Sequence, residues 1–154
     1  MNIGELITPD HIVPALKASS KKQTLQELAK FASKSIGVDE RTVFDILLER
    51  ERLGTTGVGH GVAIPHGKLE ELDQLYGFFA RLDTPVPFDA IDEQPVDLIF
   101  LLLAPESAGA DHLKALAQIS RILRDQATCK KLRGSESAEA IFALLTETAA
   151  SEAA

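Results

Sequence analysis

Apolar residues recur with helical spacing at Leu25, Leu28, Ala29, Ala32 and Ile36, a stripe that predicts a helix buried along one side. Ahead of it, Ser20 and Gln23 have the spacing of a capping box, in which the hydroxyl accepts from the N3 amide and the glutamine returns to the cap amide. The helix is therefore expected to start at Lys21 and to stop at Gly37. Asp39 is the expected cap of a second helix, with Val43, Ile46, Leu47 and Leu53 near one side and Gly54 beyond its end. In its last turn two arginines meet the negative end of the helix dipole. Upstream, Ile12 and Val13 read as a short first strand, which Pro14 assigns to a sheet edge.

Downstream, residues 75–82 read as a strand, and residues 96–103 as a central strand apolar on both faces. Pro85, Pro87 and Pro95 are expected to break the segment between them into a loop. Leu113, Leu116, Ala117, Ser120 and Leu123 keep helical register behind Asp111, which puts His112 in a first helical turn. A shorter helix around residues 129–132 ends near Gly134, and Ser137 is the expected cap of a last helix carrying Ile141, Leu144 and Leu145. Strands interleaved with helices predict an α/β layer structure, with helices covering a central sheet.

One stretch fits neither period. Residues 53–69, LGTTGVGHGVAIPHGKL, hold five glycines, with His60 and His66 among them. Glycine opens tight turns and lets backbone N–H groups approach a bound anion. Val62, Ala63 and Ile64 form a short apolar run readable as a buried strand, whose ladder Pro65 ends by removing a donor. His66 is thus expected just off a strand end, on a rigid exit, and is read as the reactive residue.

Composition narrows the picture. A chain of 154 residues with 45% hydrophobic content suits one globular domain. Its net charge of −7 argues against a nucleic-acid partner. The single cysteine, Cys129, excludes an internal disulfide and suits a reducing cytosol. No run has the length of a membrane span, and the start, MNIGELITPD, lacks the flanks of a signal peptide, so a cytoplasmic protein not embedded in a membrane is expected. Residues 149–154, AASEAA, have little to bury and are expected to form a frayed, disordered tail.

Several chemistries are excluded by spacing. Gly61 to Lys68 has five residues between its glycines and Leu69 where a magnesium-binding hydroxyl belongs, so it is no Walker loop. Gly57, Gly59 and Gly61 give GxGxG, short of the dinucleotide fingerprint. There is no HExxH and no GxSxG. No cofactor or metal is expected, and histidine as a nucleophile remains.

At this point the residues carry a resemblance. The run GVAIPHGKL, preceded by RERLGTTG and followed by FDAIDEQPVDLIFLLLAPE and DHLKALAQISRIL, resembles the enzyme IIA domain of the mannitol/fructose type in the bacterial phosphoenolpyruvate-dependent phosphotransferase system. Its wording is most similar to the nitrogen-regulatory branch, and the likeness spans residues 6–148. The resemblance implies a mixed β-sheet flanked by helices on both faces. It implies that His66 is phosphorylated on Nε2 by a small HPr- or NPr-like phosphocarrier, that His112 is a second active-site histidine, and that Arg50 is the family's arginine at the helix end. It also places Thr55 and Thr56 of the GTTG turn where the family has a phosphate-contacting side chain.

Phosphoryl transfer has a loose transition state, so the protein mainly aligns donor and acceptor and balances charge on the equatorial oxygens. If Nε2 attacks, Nδ1 must be the donor, and a backbone carbonyl of the glycine-rich stretch is its simplest partner. His112 would add a side-chain donor and a positive helix end. Arg50 would contact either the phosphate or acidic residues of a partner, while Lys68, Glu70 and Glu71 read as a solvated rim or a docking edge. His60 receives no family role, and His11 reads as a surface residue. Two functions follow: a sugar-specific carrier passing phosphoryl to an EIIB permease component, or a regulator whose phosphorylation state decides which targets, such as kinases or transporters, it binds. No attached IIB or membrane domain is expected, and this expectation, together with the nitrogen-branch wording, favours the regulator.

Overall fold

A computed structural model describes residues 2–153. Its sheet, six-stranded among the described residues, comprises β1 (Ile12–Leu16), β2 (Gly57–Gly59), β3 (Val62–Ala63), β4 (His66–Leu69), β5 (Tyr76–Val86) and β6 (Val96–Pro105). The order is β1-β5-β6-β3-β2, with β4 also paired to β6. β5 and β6 are antiparallel, whereas β1 runs parallel to β5, and β3 and β4 run parallel to β6. The sheet is mixed, and β1 with its Pro14 lies at an edge, where a missing N–H is harmless.

β6 is apolar on both faces because both are covered. Ile99, Leu101 and Leu103 join a core with α2 (Lys21–Ile36) and α3 (Glu40–Arg52). Leu98, Phe100 and Leu102 join a second core with α1 (Ile3–Leu6), α4 (Ala110–Arg124), α5 (Gln126–Arg133) and α6 (Ala138–Ala153). The period-two alternation of one strand therefore feeds two helical layers.

Helix ends follow their sequence signals with instructive departures. Ser20 Oγ accepts from the Gln23 amide at 3.1 Å, but Gln23 Oε1 accepts from the Ser19 amide at 2.7 Å, so the reciprocal half of the capping box is shifted by one residue. Gly37 takes the left-handed conformation at φ 78° that ends α2, and Asp39 caps α3 through the Thr42 amide at 3.0 Å. Leu53, expected on the buried side, follows the helix end and is 85% exposed. β5 runs on through exposed Pro85, at the point where its register against β6 becomes irregular. α6 continues to Ala153, through residues expected to fray, and buried Ala149 keeps its late turns on the second core; Ala154 lies outside the described residues.

The path that positions His66 is the most informative departure. β3 and β4 lie on the same edge of β6 in one continuous register, with Val62 opposite Leu98 and His66 opposite Leu102. Ile64 and Pro65 interrupt the ladder between them, and the Pro65 carbonyl still accepts from the Leu102 amide at 3.0 Å. His66 therefore opens a new strand and is held to β6 by sheet pairing that runs both before it, at Val62 and Ala63, and from it onward to Leu69, in place of the strand exit expected from the proline.

Candidate active site

Three elements converge on one open cavity of about 620 Å³: the last turn of α3, the start of β4 and the first turn of α4. Ile46, Arg50 and Leu53 line it from the α3 side, His66, Gly67 and Lys68 from β4, and His112, Leu113 and Leu116 from α4. Gly67 permits this convergence, since a Cβ there would sit 2.4 Å from Ile46 Cγ2. Gly109, at φ 50°, caps α4, so Asp111 lies in the first turn beside His112 and does not serve as the cap.

His66 is half-buried, and both its nitrogens are engaged. Nδ1 lies 2.8 Å from the Ile64 carbonyl, and Arg50 Nε donates to Nε2 at 3.2 Å. A carbonyl only accepts and a guanidinium only donates, so the two contacts select one tautomer: Nδ1 carries the proton and Nε2 the lone pair. The Nδ1 partner expected in the glycine-rich stretch is thus Ile64. Arg50 is aimed by a second bond, from Nη1 to the Gly54 carbonyl at 2.8 Å.

His112 is buried, and its ring stands edge-on to that of His66 with centroids 5.6 Å apart. Its Nδ1 has no hydrogen-bond partner among the described residues, which leaves Nε2 as the nitrogen available to the cavity. Burial holds the His66 imidazole below its ordinary pKa; the Ile64 bond opposes this, the Arg50 charge adds to it, and the Glu51 charge opposes it. Burial does the same to His112, reinforced by the His66 and Lys68 charges. Both rings are therefore neutral near pH 7, as a nucleophile and its companion must be.

The structure does not bring Thr55 and Thr56 into the cavity. Thr55 Oγ1 donates to the Phe88 carbonyl at 3.0 Å, and buried Thr56 donates through Oγ1 and its amide to the Glu51 carboxylate. Both hydroxyls are scaffold groups here. His60, at φ 56°, belongs to a turn tied to α5, where Arg133 donates to its carbonyl at 2.8 Å while pairing with Asp97. Among the described residues no group of His, Cys, Asp or Glu is placed to hold a metal ion, and no helix is long and apolar enough to cross a membrane. The cavity's apolar wall, Ile46, Leu113 and Leu116, is not legible in the sequence, because the helical spacing of these residues is the same as that of core positions.

His11 is half-buried, in contrast to the surface place expected, with its ring 4.6 Å from that of Phe78 and Nδ1 3.1 Å from the Gly77 carbonyl. Burial lowers its pKa as well. His11, His66 and His112 all bind protons less readily folded than unfolded, so their contribution is full above pH ~6.5 and is lost as pH falls below it through the folded values. Urea midpoints are expected to fall between pH 7.5 and pH 5.5, with a shallower fall in His66→Gln/His112→Gln protein. An unchanged slope in that variant would contradict the assignment.

A sheet covered by helices on both faces, with an open cavity that gathers a tautomer-locked histidine, a second neutral histidine and an arginine, fits a phosphotransferase component. Residues 5–148 match the family described as the phosphoenolpyruvate-dependent sugar phosphotransferase system, EIIA 2, and the chain belongs to that family. Among its relatives, the nitrogen regulatory protein of Bradyrhizobium diazoefficiens is 62% identical over 145 residues, 94% of this chain and 95% of the relative. The nitrogen regulatory protein of Escherichia coli K12 is 44% identical over 131 residues, 84% of this chain and 80% of the relative. The crystal structure of nitrogen regulatory protein IIA-Ntr from Neisseria meningitidis matches with a TM-score of 0.88 at 40% identity, covering 94% of this chain and 99% of that one.

Proposed function

We propose that the protein is a nitrogen-regulatory EIIA, which accepts a phosphoryl group on His66 Nε2 from an HPr- or NPr-like phosphocarrier and regulates target proteins according to its phosphorylation state. The observation that carries this reading is the fixed tautomer, which presents the Nε2 lone pair beneath an arginine. As the bond from phosphorus to Nε2 forms, the bond from phosphorus to the carrier's leaving nitrogen breaks. Nδ1 keeps its proton on the Ile64 carbonyl, whose dipole offsets the positive charge that develops on the ring. Arg50, Lys68, the His112 Nε2–H and the N-terminal end of α4 balance charge on the equatorial oxygens.

The regulatory half rests on the relatives' names and on the rim. Leu53 and Leu113 flank the cavity at 85% and 69% exposure, and phosphorylation sets about −1.5 to −2 charges between them. A partner that covers this apolar rim in the unmodified state, such as a kinase or a transporter, would meet an unpaired dianion in the modified one. Incubation with phosphoenolpyruvate, the system's first enzyme and its phosphocarrier is expected to add one acid-labile phosphoryl group to the intact protein and none to His66→Ala. Efficient onward transfer to an EIIB component of the same cell would favour the sugar-specific role over the regulator.

A further inference from the structure

Glu51 is a carboxylate turned into the protein. It continues the buried face of α3 from Val43 and Leu47 in steps of four, and its side chain is 3% exposed. Three donors satisfy it: the Thr56 amide at 3.0 Å and Lys21 Nζ at 3.0 Å on Oε1, and the Thr56 hydroxyl on Oε2. Lys21, from the first turn of α2, is itself held 4.8 Å over the Phe88 ring. A buried ion pair is a poor way to gain stability, because desolvation offsets most of the attraction. It is an effective way to fix one geometry, and the bonds leaving this cluster show which.

Thr56 passes the constraint onward through its carbonyl, which accepts from the Ile64 amide at 3.0 Å, and the Ile64 carbonyl accepts from His66 Nδ1 at 2.8 Å. On the other side, the Glu51 carbonyl accepts from the Gly54 amide at 3.1 Å. The Gly54 carbonyl accepts from Arg50 Nη1 at 2.8 Å, and Arg50 Nε reaches His66 Nε2 at 3.2 Å. One chain of bonds leaves the Glu51 carboxylate and the other its backbone carbonyl, and they end on the two nitrogens of one imidazole. We propose that Glu51, acting through Thr56, is the positioning residue of the phosphoryl acceptor: its carboxylate places the Ile64 carbonyl that fixes the His66 tautomer, and it anchors the turn that carries the Gly54 carbonyl on which Arg50 is aimed. This rests on the reading of His66 as the acceptor, and it gives Thr56 a placing role in contrast to the phosphate contact expected from the GTTG turn.

The charge of Glu51 also reaches the ring. The charged and titratable groups around His66 are Arg50 and Glu51 on α3, Lys68 on β4 and His112 on α4, with Glu49 at the cavity edge. Glu51 favours the protonated ring, so its neutralisation lowers the His66 titration midpoint further.

The test compares wild type with Glu51→Gln, Thr56→Val and Thr56→Ser. Three measurements are made: nitrogen chemical shifts of the His66 ring across pH, the rate of phosphoryl acceptance from phosphorylated carrier, and the unfolding temperature. Thr56→Val keeps the amide and the side-chain volume, so it remains informative if Glu51→Gln fails to fold. Both are expected to mix the two tautomers and to slow acceptance about tenfold, as small misplacements of a reacting group do; Thr56→Ser is expected to stay near wild type. A lowered unfolding temperature with unshifted tautomer and unchanged rate in Thr56→Val would overturn the proposal. Should wild type accept no phosphoryl group, the functional reading fails, while the ring shifts still report whether Glu51 and Thr56 set the tautomer.

Discussion

Replacing Arg50 by alanine is expected to slow phosphoryl acceptance by about thirty- to a hundred-and-fiftyfold while leaving the unfolding temperature nearly unchanged. Two effects oppose each other. In the resting protein the Arg50 Nε–H occupies the Nε2 lone pair, so its removal frees the nucleophile of a hydrogen bond whose net worth is about 1 kcal/mol. The same removal takes from the transition state a cation that would move onto the phosphoryl oxygens, and the loss of one such preorganised donor costs about 3–4 kcal/mol. The second effect wins by some 2–3 kcal/mol, which sets the predicted factor.

Arg50 also lowers the His66 pKa, so the variant's ring should titrate at higher pH than that of wild type. Arg50→Lys should recover only part of the rate, because an ammonium cannot hold the Gly54 carbonyl and Nε2 together as the guanidinium does. Rapid-quench measurement of acceptance from phosphorylated carrier, alongside a thermal melt, checks both statements. A variant as fast as wild type would move Arg50 out of the chemistry and leave it a partner contact.

Much of the scaffold was legible because it is built from local signals. Ser20, Gly37, Asp39 and Ser137 cap the helices where the sequence places them, since each bonds backbone groups within three or four residues of itself. The double apolarity of β6 announced two covering layers. What local reading missed were consequences of pairing across the sheet. Pro65 does end a ladder, but β6 continues beside it and captures His66 to Leu69 in the same register, which no feature of residues 62–69 alone reveals. Pro85 is carried inside β5 for the same reason.

The site divides in a similar way. His66, Arg50 and His112 sit together, as the resemblance implied. Thr55 and Thr56 do not, because a buried carboxylate one turn back on α3 competes for the Thr56 donors, and the Phe88 carbonyl takes the Thr55 hydroxyl. That carboxylate had a visible signal: Val43, Leu47 and Glu51 share a face at steps of four, and an acid on an apolar face requires inward partners. Arg50 and Arg52 are accounted for by the helix dipole alone, and only the register of Glu51 between them shows that it faces inward.

Phe100→Ala is expected to have the complementary effect, lowering the unfolding temperature by about 10 °C with acceptance at low temperature preserved. Phe100 is fully buried at the middle of β6, and its ring meets that of Phe79 edge-on at 6.4 Å. It also covers Gly77 on β5, whose added Cβ would lie 2.9 Å from Phe100 Cε1 and Cζ, so this ring supplies the packing that the glycine lacks. Truncation removes the transfer energy of the ring and leaves a cavity in the second core, together about 3–5 kcal/mol. Against a total of about 5–15 kcal/mol for a domain of this size, that is a large share. Phe100 does not line the cavity, and β4 is held to β6 by backbone pairing at Leu102 to Pro105, which the truncation leaves in place. The folded fraction should therefore accept phosphoryl at the wild-type rate at 10 °C and lose activity only as it melts. A slowed rate in fully folded Phe100→Ala protein would show that the core face of β6 sets the geometry of His66, and would shift that control from the Glu51 chain of bonds to the packing beneath it.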